Sequence, residues 1–325
     1  MCIPCKKGGE RMVKYILRRF GEMIILLFII FTATFFLLAA VPGNAIDQKM
    51  EKFPESVKEN IVHKYGFDKP VLERYAISVK NFVIDHQFGE SIVNPGVTLS
   101  SLLKDKMPIS MQLSARQILF GVPIGMILGI IAACNRGKRI DYFIVISSLV
   151  ITSVPTLVFA LLLQKYFGGR YGLQIIGWSQ PGMGFVDGLS YTLLPTLSGV
   201  FGYIVGYSRL VRTTMLDSIN QEYTMTARAK GLSEARIIYK HVIRNSFIPV
   251  CTILPGTIAG VIGGSLFIER VFSIPGIGAY YTTAVSQRDI PMIMGQTMLY
   301  TLIYLVSILV SDILYTIVDP RIKFQ

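Results

Sequence analysis

The feature that most constrains this chain is the spacing of its apolar residues into six blocks, at residues 21–41, 111–134, 142–164, 191–208, 247–267 and 292–315. Each is about 20 residues long, the length a helix needs to cross a hydrocarbon core of about 30 Å. A soluble α/β chain would divide the same residues into runs of about 4–8 between turns. Composition agrees: 52% of the 325 residues are hydrophobic and only 16% charged, with a mean hydropathy of +0.52. Soluble domains carry roughly 25% charged residues. The second block is interrupted by Arg116, and the fourth begins on hydroxyl residues. The first lacks a small-residue cleavage site and continues into Val41-Pro42-Gly43, so it reads as a span and not as a cleaved signal. The expectation is an all-α, polytopic membrane protein of six transmembrane helices.

Charge orients these spans. A net charge of +12 would suggest nucleic acid on a soluble surface, but here the basic residues are segregated. Lys6, Lys7, Arg11, Lys14, Arg18 and Arg19 precede the first block, and Arg136, Lys138 and Arg139 separate the second from the third. Arg209, Arg212, Arg228, Lys230, Arg236, Lys240 and Arg244 fill the gap before the fifth block, and Arg321 and Lys323 follow the sixth. Residues 42–107 carry roughly nine charges of each sign. Because basic residues stay on the cytoplasmic side, both termini are expected inside a bacterial cytoplasmic membrane, with no role for nucleic acid.

Cys134 and Cys251 fall in or beside apolar blocks and read as small hydrophobes, while the Cys2-x-x-Cys5 pair lacks the second pair a metal site needs. Lys6-Lys7-Gly8-Gly9-Glu10-Arg11 takes purine-rich codons just ahead of Met12 and can spell a ribosome-binding sequence. Translation is therefore expected to start at Met12, leaving residues 1–11 untranslated. An intact mass beginning at Met1 rules that out.

The chain divides into four segments. Residues 1–20 form a cytoplasmic N-terminus whose Met12–Arg19 stretch is basic and amphipathic, suited to an interface. Residues 21–41 are the first span, and 42–107 an extracytoplasmic segment. Within that segment Pro54–Ile61 and Pro70–Val83 read as helices, the latter with Val71, Tyr75, Val79 and Phe82 at helical spacing. It reads as a helical cap on the outer face. Residues 108–325 are a five-helix core with an inner loop at 209–246.

Gly121, Gly125 and Gly129 recur every four residues, which lets helix backbones approach closely. Pro123, Pro155, Pro195 and Pro255 fall in or beside spans, where freed carbonyls need neighbours or a cavity. Arg116 and Asp312 are charges within spans, placed at different depths. Arg116 lines the outer pathway or reaches headgroups; Asp312 is expected to pair with a cytoplasmic arginine. Residues 265–291 read as an outer hairpin or re-entrant loop, since Pro275-Gly276-x-Gly278 cannot continue a helix.

The informative segment is the inner loop. Glu222 to Arg228, Ala229 and Lys230 form a helix, Gly231 suits a left-handed stop, and Ser233 can cap a second helix with Glu234 in its first turn. The first helix is expected to expose small and basic residues that slot into another protein's groove. Glu222, Ala227, Gly231 nine residues after the Glu, and an Ile243-x-x-x-x-x-Pro249 ending resemble the EAA loop of ATP-binding-cassette importer permeases. Thr226-Ala227-Arg228-Ala229-Lys230-Gly231-Leu232, with His241 and Asn245-x-x-x-Pro249, resembles the oligopeptide/dipeptide branch more closely, as does Tyr223-Thr224 in place of Ala-Ala.

Further segments resemble that branch in order: Met12–Arg19 with Pro42-Gly43, Tyr65–Pro70, Phe88–Ser91, Glu269–Phe272, Pro275–Gly278, Arg288-Asp289 and Asp319–Arg321. Together they resemble the B-type subunit. The resemblance implies a type I importer permease fold, with Glu222, Thr226, Ala227, Arg228, Ala229, Lys230, Gly231 and Leu232 coupling to an ATPase. Glu269, Pro275, Gly276, Gly278, Arg116 and Asp312 are structural or gating candidates. It implies a second homologous permease, two cytoplasmic ATP-binding subunits, an extracytoplasmic substrate-binding protein and membrane lipid as partners, and no cofactor or metal. Peptides are the implied cargo; nickel chelates or glutathione are carried by similar complexes.

The chain has no G-x-x-x-x-G-K-[ST] loop to cradle ATP, so hydrolysis is expected on other subunits. A zinc protease needs H-E-x-x-H, but His63, His86 and His241 stand apart, and Thr196-Leu197-Ser198-Gly199 lacks the first glycine of a rhomboid-type serine motif. No catalytic residue is expected. A stand-alone secondary transporter would carry mid-membrane charges and need no docking loop.

Overall fold

The computed structural model describes residues 6–41, 54–85, 89–94, 96–179 and 182–318. Among them the chain is all-α, with one isolated bridge between Glu90 and Thr98. Helices suit lipid because they satisfy backbone N–H and C=O groups within one segment. Cys2, Cys5, Pro42-Gly43, His86, Phe88 and Asp319-Pro320-Arg321 lie outside the described residues.

In chain order the helices are α1 (Lys6–Ala40), α2 (Glu55–Tyr65), α3 (Val71–Val83), α4 (Leu99–Asp105), α5 (Met107–Cys134), α6 (Arg139–Ser153), α7 (Thr156–Phe167) and α8 (Phe185–Ile219). They continue as α9 (Glu222–Ala229), α10 (Glu234–Ile237), a π-helical turn (Ile238–Val242) and α11 (Ile243–Ser246). The last are α12 (Ile248–Gly263), α13 (Leu266–Val271), α14 (Ile277–Ser286) and α15 (Ile290–Val318).

Four of the described helices are long and apolar enough to cross a membrane: Leu17–Ala40, Met107–Cys134, Asp187–Ile219 and Ile290–Ile313. The other two apolar blocks differ from simple spans. Residues 142–164 are split into α6 and α7, which meet at 93°. Pro155 is the cause, because a residue before proline is pushed out of the helical region, and Val154 adopts φ −97°, ψ 119°. The block at 247–267 contains only a shorter apolar stretch, Ile248–Ile258, and α12 ends at Gly264 with φ +68°. The N-terminal stretch and first span, expected as two elements, are one continuous helix, α1.

The described residues divide into two compact units, those within 6–109 and 276–306, and those within 110–275 and 307–318. In the first, Phe31 and Phe35 of α1 and Met294 and Met298 of α15 form a core on which Tyr75, Val79 and Phe82 of α3 pack. The helical spacing seen in 70–83 is this stripe, although Val71 remains 41% exposed. Tyr75 shares a 2.7 Å hydrogen bond with Thr32. The buried Asp289 holds the segment after α3: Ser91 Oγ donates to its carboxylate at 2.5 Å and the Ile92 amide at 3.2 Å.

In the second unit α5 and α8 meet along the glycine series. A Cβ at Gly121 would lie 2.6 Å from Tyr203 Cβ, at Gly125 2.6 Å from the Ile204 carbonyl, and at Gly129 2.6 Å from the Ser208 carbonyl. The backbones touch there, and any side chain would force them apart. Gln117 packs on Gly199 of α8 and donates to the Pro195 carbonyl at 3.1 Å.

Candidate functional site

The loop between α8 and α12 is built on a buried hydrophobic cluster. Val211 and Met215 of α8, Ala227 of α9, and Ile237 and Val242 beyond it are buried together, with Leu232 packed against them. Hydroxyl groups reinforce the joint. Thr224 Oγ1 donates to the Ser218 carbonyl at 2.8 Å, and the Ser246 hydroxyl lies 3.1 Å from Ser218 Oγ and 2.7 Å from the Val242 carbonyl. Thr224 and Ser246 are almost wholly buried, so these bonds replace water that cannot reach them. The short α9 is thereby fixed to the long α8.

Helix α9 stops as a Schellman turn. Gly231 has φ +78°, its amide donates to Arg228 O at 2.9 Å, and the Leu232 amide reaches Ala227 O at 3.3 Å. These are the two bonds of that motif, and they require a left-handed residue between them. Ser233 occupies the next N-cap position, but its side chain makes no capping bond. Glu234 instead turns back to Arg228, Nε to Oε1 at 2.6 Å and Nη2 to Oε2 at 3.2 Å, bridging the stop. The guanidinium holds Glu234 below the ordinary carboxylate value. Both groups are solvent-exposed, so the pair contributes little to stability.

The exposed surface of α9 carries the small and basic residues Thr226, Arg228, Ala229 and Lys230, as expected, but not Ala227. Ala227 is 5% exposed, turned into the chain's own core with Thr224. Outward lie Glu222, Tyr223, Met225, Thr226, Arg228, Ala229 and Lys230. A large side chain at Ala227 would therefore meet Val211 and Met215 before it met a partner.

One ion pair that the sequence reading missed anchors this end of the bundle. Asp141, in the first turn of α6 and buried, receives Arg212 of α8 at 2.6 Å and 2.9 Å and the Gly137 amide at 3.0 Å. The available signal was a single carboxylate opening an apolar block directly after Arg136, Lys138 and Arg139. The Ser218–Thr224–Ser246 cluster carried no comparable signal.

The remaining candidates are dispersed. Arg116 lies 5.6 Å from the centre of the Trp178 ring, a cation–π arrangement. Glu269 is fully buried and accepts the Ser265 amide at 3.0 Å, with Gly264 so close that a Cβ there would lie 2.5 Å from Oε1. Pro275 is exposed and separates α13 from α14. Gly276 and Gly278 start α14 and do not break it: Gly276 is its N-cap at φ −94° and Gly278 is buried in its first turn. Asp312 is half-buried near the end of α15. Cys134 and Cys251 are free and lie on the surface of the described chain.

Two families match this chain. One, described as binding-protein-dependent transport system inner membrane component, covers residues 125–324; the other, the N-terminal part of such membrane components, covers residues 12–116. The dipeptide transport system permease protein DppB of Lactococcus lactis subsp. cremoris is 36% identical over 313 residues, 96% of this chain and 100% of that protein. The oligopeptide transport system permease protein OppB of Haemophilus influenzae is 32% identical over 96% of this chain and 100% of its own length. A solved amino acid ABC transporter aligns with a TM-score of 0.50 at 15% identity, covering 69% of this chain and 95% of that one. The MetNI methionine ABC transporter aligns equally well over 66% and 97%. These two speak to the fold alone.

Proposed function

Because this chain belongs to the family of inner-membrane components of binding-protein-dependent transport systems, we propose that it is the peptide-conducting permease subunit of an ATP-driven importer, coupled through α9. It is an integral membrane protein of the type I importer permease fold, and the relatives it matches over their full length include dipeptide and oligopeptide permeases. Nickel chelates or glutathione are the alternative cargo for a complex of the same type.

The observation that carries the reading is the construction of α9. A two-turn helix has little stability of its own, yet this one is locked to α8 by buried hydroxyl bonds and closed by the Gly231 stop. Its exposed side shows Tyr223 and Met225, 38% and 58% exposed, beside the Arg228–Glu234 pair. Apolar anchors ringed by charge are what a partner's groove takes up. Force applied to α9 passes into α8, which runs 35 residues along the bundle.

In this reading both termini and the 209–246 segment face the cytoplasm, where two ATP-binding subunits dock, and residues 42–107 lie outside. A homologous second permease completes the pathway, and an external binding protein delivers the peptide. ATP binding moves α9 and tips the bundle from one packing to another; packed interfaces switch between discrete arrangements. Hydrolysis, carried out by the partner subunits, resets it.

The test is dipeptide uptake into proteoliposomes holding this chain, its partner permease and the ATPases, with binding protein supplied. Uptake should require ATP, and Met225→Glu should abolish co-purification of the ATPases while the membrane subunits remain paired. Uptake by this chain alone, or ATPase retention by Met225→Glu, would overturn the assignment.

A further inference from the structure

The break between α6 and α7 opens into a cavity of about 290 Å³ against α8, at the small end of the range for ligand pockets. Its polar lining is Thr152 and Thr156 at the break, and Ser198 and Arg209 on α8, with Gly202 and Gly206 between them. These groups are sorted by type. Thr152 Oγ1 donates to the Ser148 carbonyl at 2.7 Å and Ser198 Oγ to the Leu194 carbonyl at 2.8 Å. Each hydroxyl hydrogen is thus spent on its own helix, leaving lone pairs to accept from a passenger. In the last turn of α6 the Ile151 carbonyl accepts the Val154 amide at 3.2 Å, while the carbonyls after it have no further helical turn to donate to them and add to the acceptor end.

Arg209 offers only donors, is exposed, and has no ion-pair partner among the described residues. It follows Ser198 by 11 positions, about 16 Å along the helix, and helical side chains lean back toward the N-terminal end, here toward Ser198. The shortened distance suits two to three extended residues at about 3.5 Å each. Between the two ends, a Cβ on Gly202 or Gly206 would meet no atom within 4 Å, so nothing there reads a side chain. Interrupted helices with exposed ends are a recurrent way for transporters to bind charged substrates.

We propose that this slot is a transit subsite for the main chain of a short zwitterionic peptide, with its ammonium and amide groups toward the α6–α7 break and its terminal carboxylate on Arg209. The inference rests on the peptide-importer reading and adds a ligand orientation: the permease reads the two charged ends of its cargo and ignores the side chains.

The experiment uses the complete transporter with one binding protein throughout, comparing uptake of a dipeptide with that of its C-terminal amide. Arg209→Gln should lower acid uptake about tenfold, the scale of one lost charge-assisted bond, and leave amide uptake unchanged. Arg209→Lys should keep part of the preference. The binding protein's own selectivity cancels in the acid-to-amide ratio, and an unchanged ratio in Arg209→Gln overturns the proposal. Should Arg209→Gln fail to assemble, Gly202→Cys in a cysteine-free background decides. A small charged thiol reagent should label it, and saturating dipeptide should slow labelling several-fold. Labelling that is absent, because the second permease seals this face, or indifferent to dipeptide, overturns the subsite. A wild-type complex that imports no dipeptide with ATP present would instead defeat the importer reading.

Discussion

Replacing Gly231 should loosen the transmission of force without unfolding the subunit, and the size of the effect can be worked from the backbone. The residue sits at φ +78°, and a Cβ built there meets no atom within 4 Å. Neighbouring atoms therefore add no penalty; the whole cost is conformational. A non-glycine residue in the left-handed region costs roughly 1–2 kcal/mol, which makes the stop about 5–30 times less favoured against its alternatives. Asparagine tolerates this region better than alanine. Proline is worse than either, since its φ is fixed near −65° and it lacks the N–H that bonds Arg228 O at 2.9 Å. The expected order of coupling is Gly, Asn, Ala, Pro, read as dipeptide imported per ATP hydrolysed in proteoliposomes of the complete transporter. Gly172→Ala is the control, because that glycine also has a positive φ, +75°, and open surroundings. Wild-type coupling in Gly231→Pro would refute the reasoning. So would an equal loss in Gly172→Ala, which would show that strain anywhere has the same result.

The glycine seam predicts a contrast within one structure: Gly125→Ala, facing the Ile204 backbone, should destabilise by about 1–3 kcal/mol, whereas Gly256→Ala, with nothing within 4 Å, should leave the melting temperature of the purified subunit unchanged. Arg212→Met strands the buried Asp141 carboxylate and should cost about 3–5 kcal/mol, while pairing it with Asp141→Leu should restore most of the loss, measured as a double-mutant cycle by thermal denaturation. Burial pushes Asp289 above the ordinary carboxylate range, against the pull of the Ser91 hydroxyl and the Ile92 amide. Ser91→Ala should push it further. A native state that holds its proton to higher pH than the unfolded chain loses stability as pH rises from about 4 through the native value. The Ser91→Ala subunit should therefore show a steeper decline over that window, and Asp289→Asn none of it.

Where sequence and structure part company, the reason is mostly that side-chain pattern is local and packing is not. The Pro155 break was visible as a proline beside a span, but the 93° bend depends on how α6 and α7 each pack, and no residue count supplies that angle. Ala227 looked like part of an exposed small face because its neighbours Arg228 and Lys230 are basic; only the position of Val211 and Met215 turned it inward. The Pro275-Gly276 stop is where α13 and α14 part, but that Gly278 lies buried in the first turn of the next helix was not legible in the sequence. Asp141 and Arg212 are 71 positions apart, and nothing in either segment names the other.

The sequence by itself determined the features that solvent and local conformation dictate. Runs of about 20 apolar residues require lipid, and Gly231 ends α9 because few other residues accept its backbone angle. Tertiary structure decided everything that needs two distant segments at once. It closed α5 onto α8 at Gly125, sealed Thr224 and Ser246 against α8, paired Arg212 with Asp141, and left a slot beside Gly202. Those contacts reward the chain only after loops are closed and helices are in register, so their energies are properties of the assembled bundle and are carried by no segment alone.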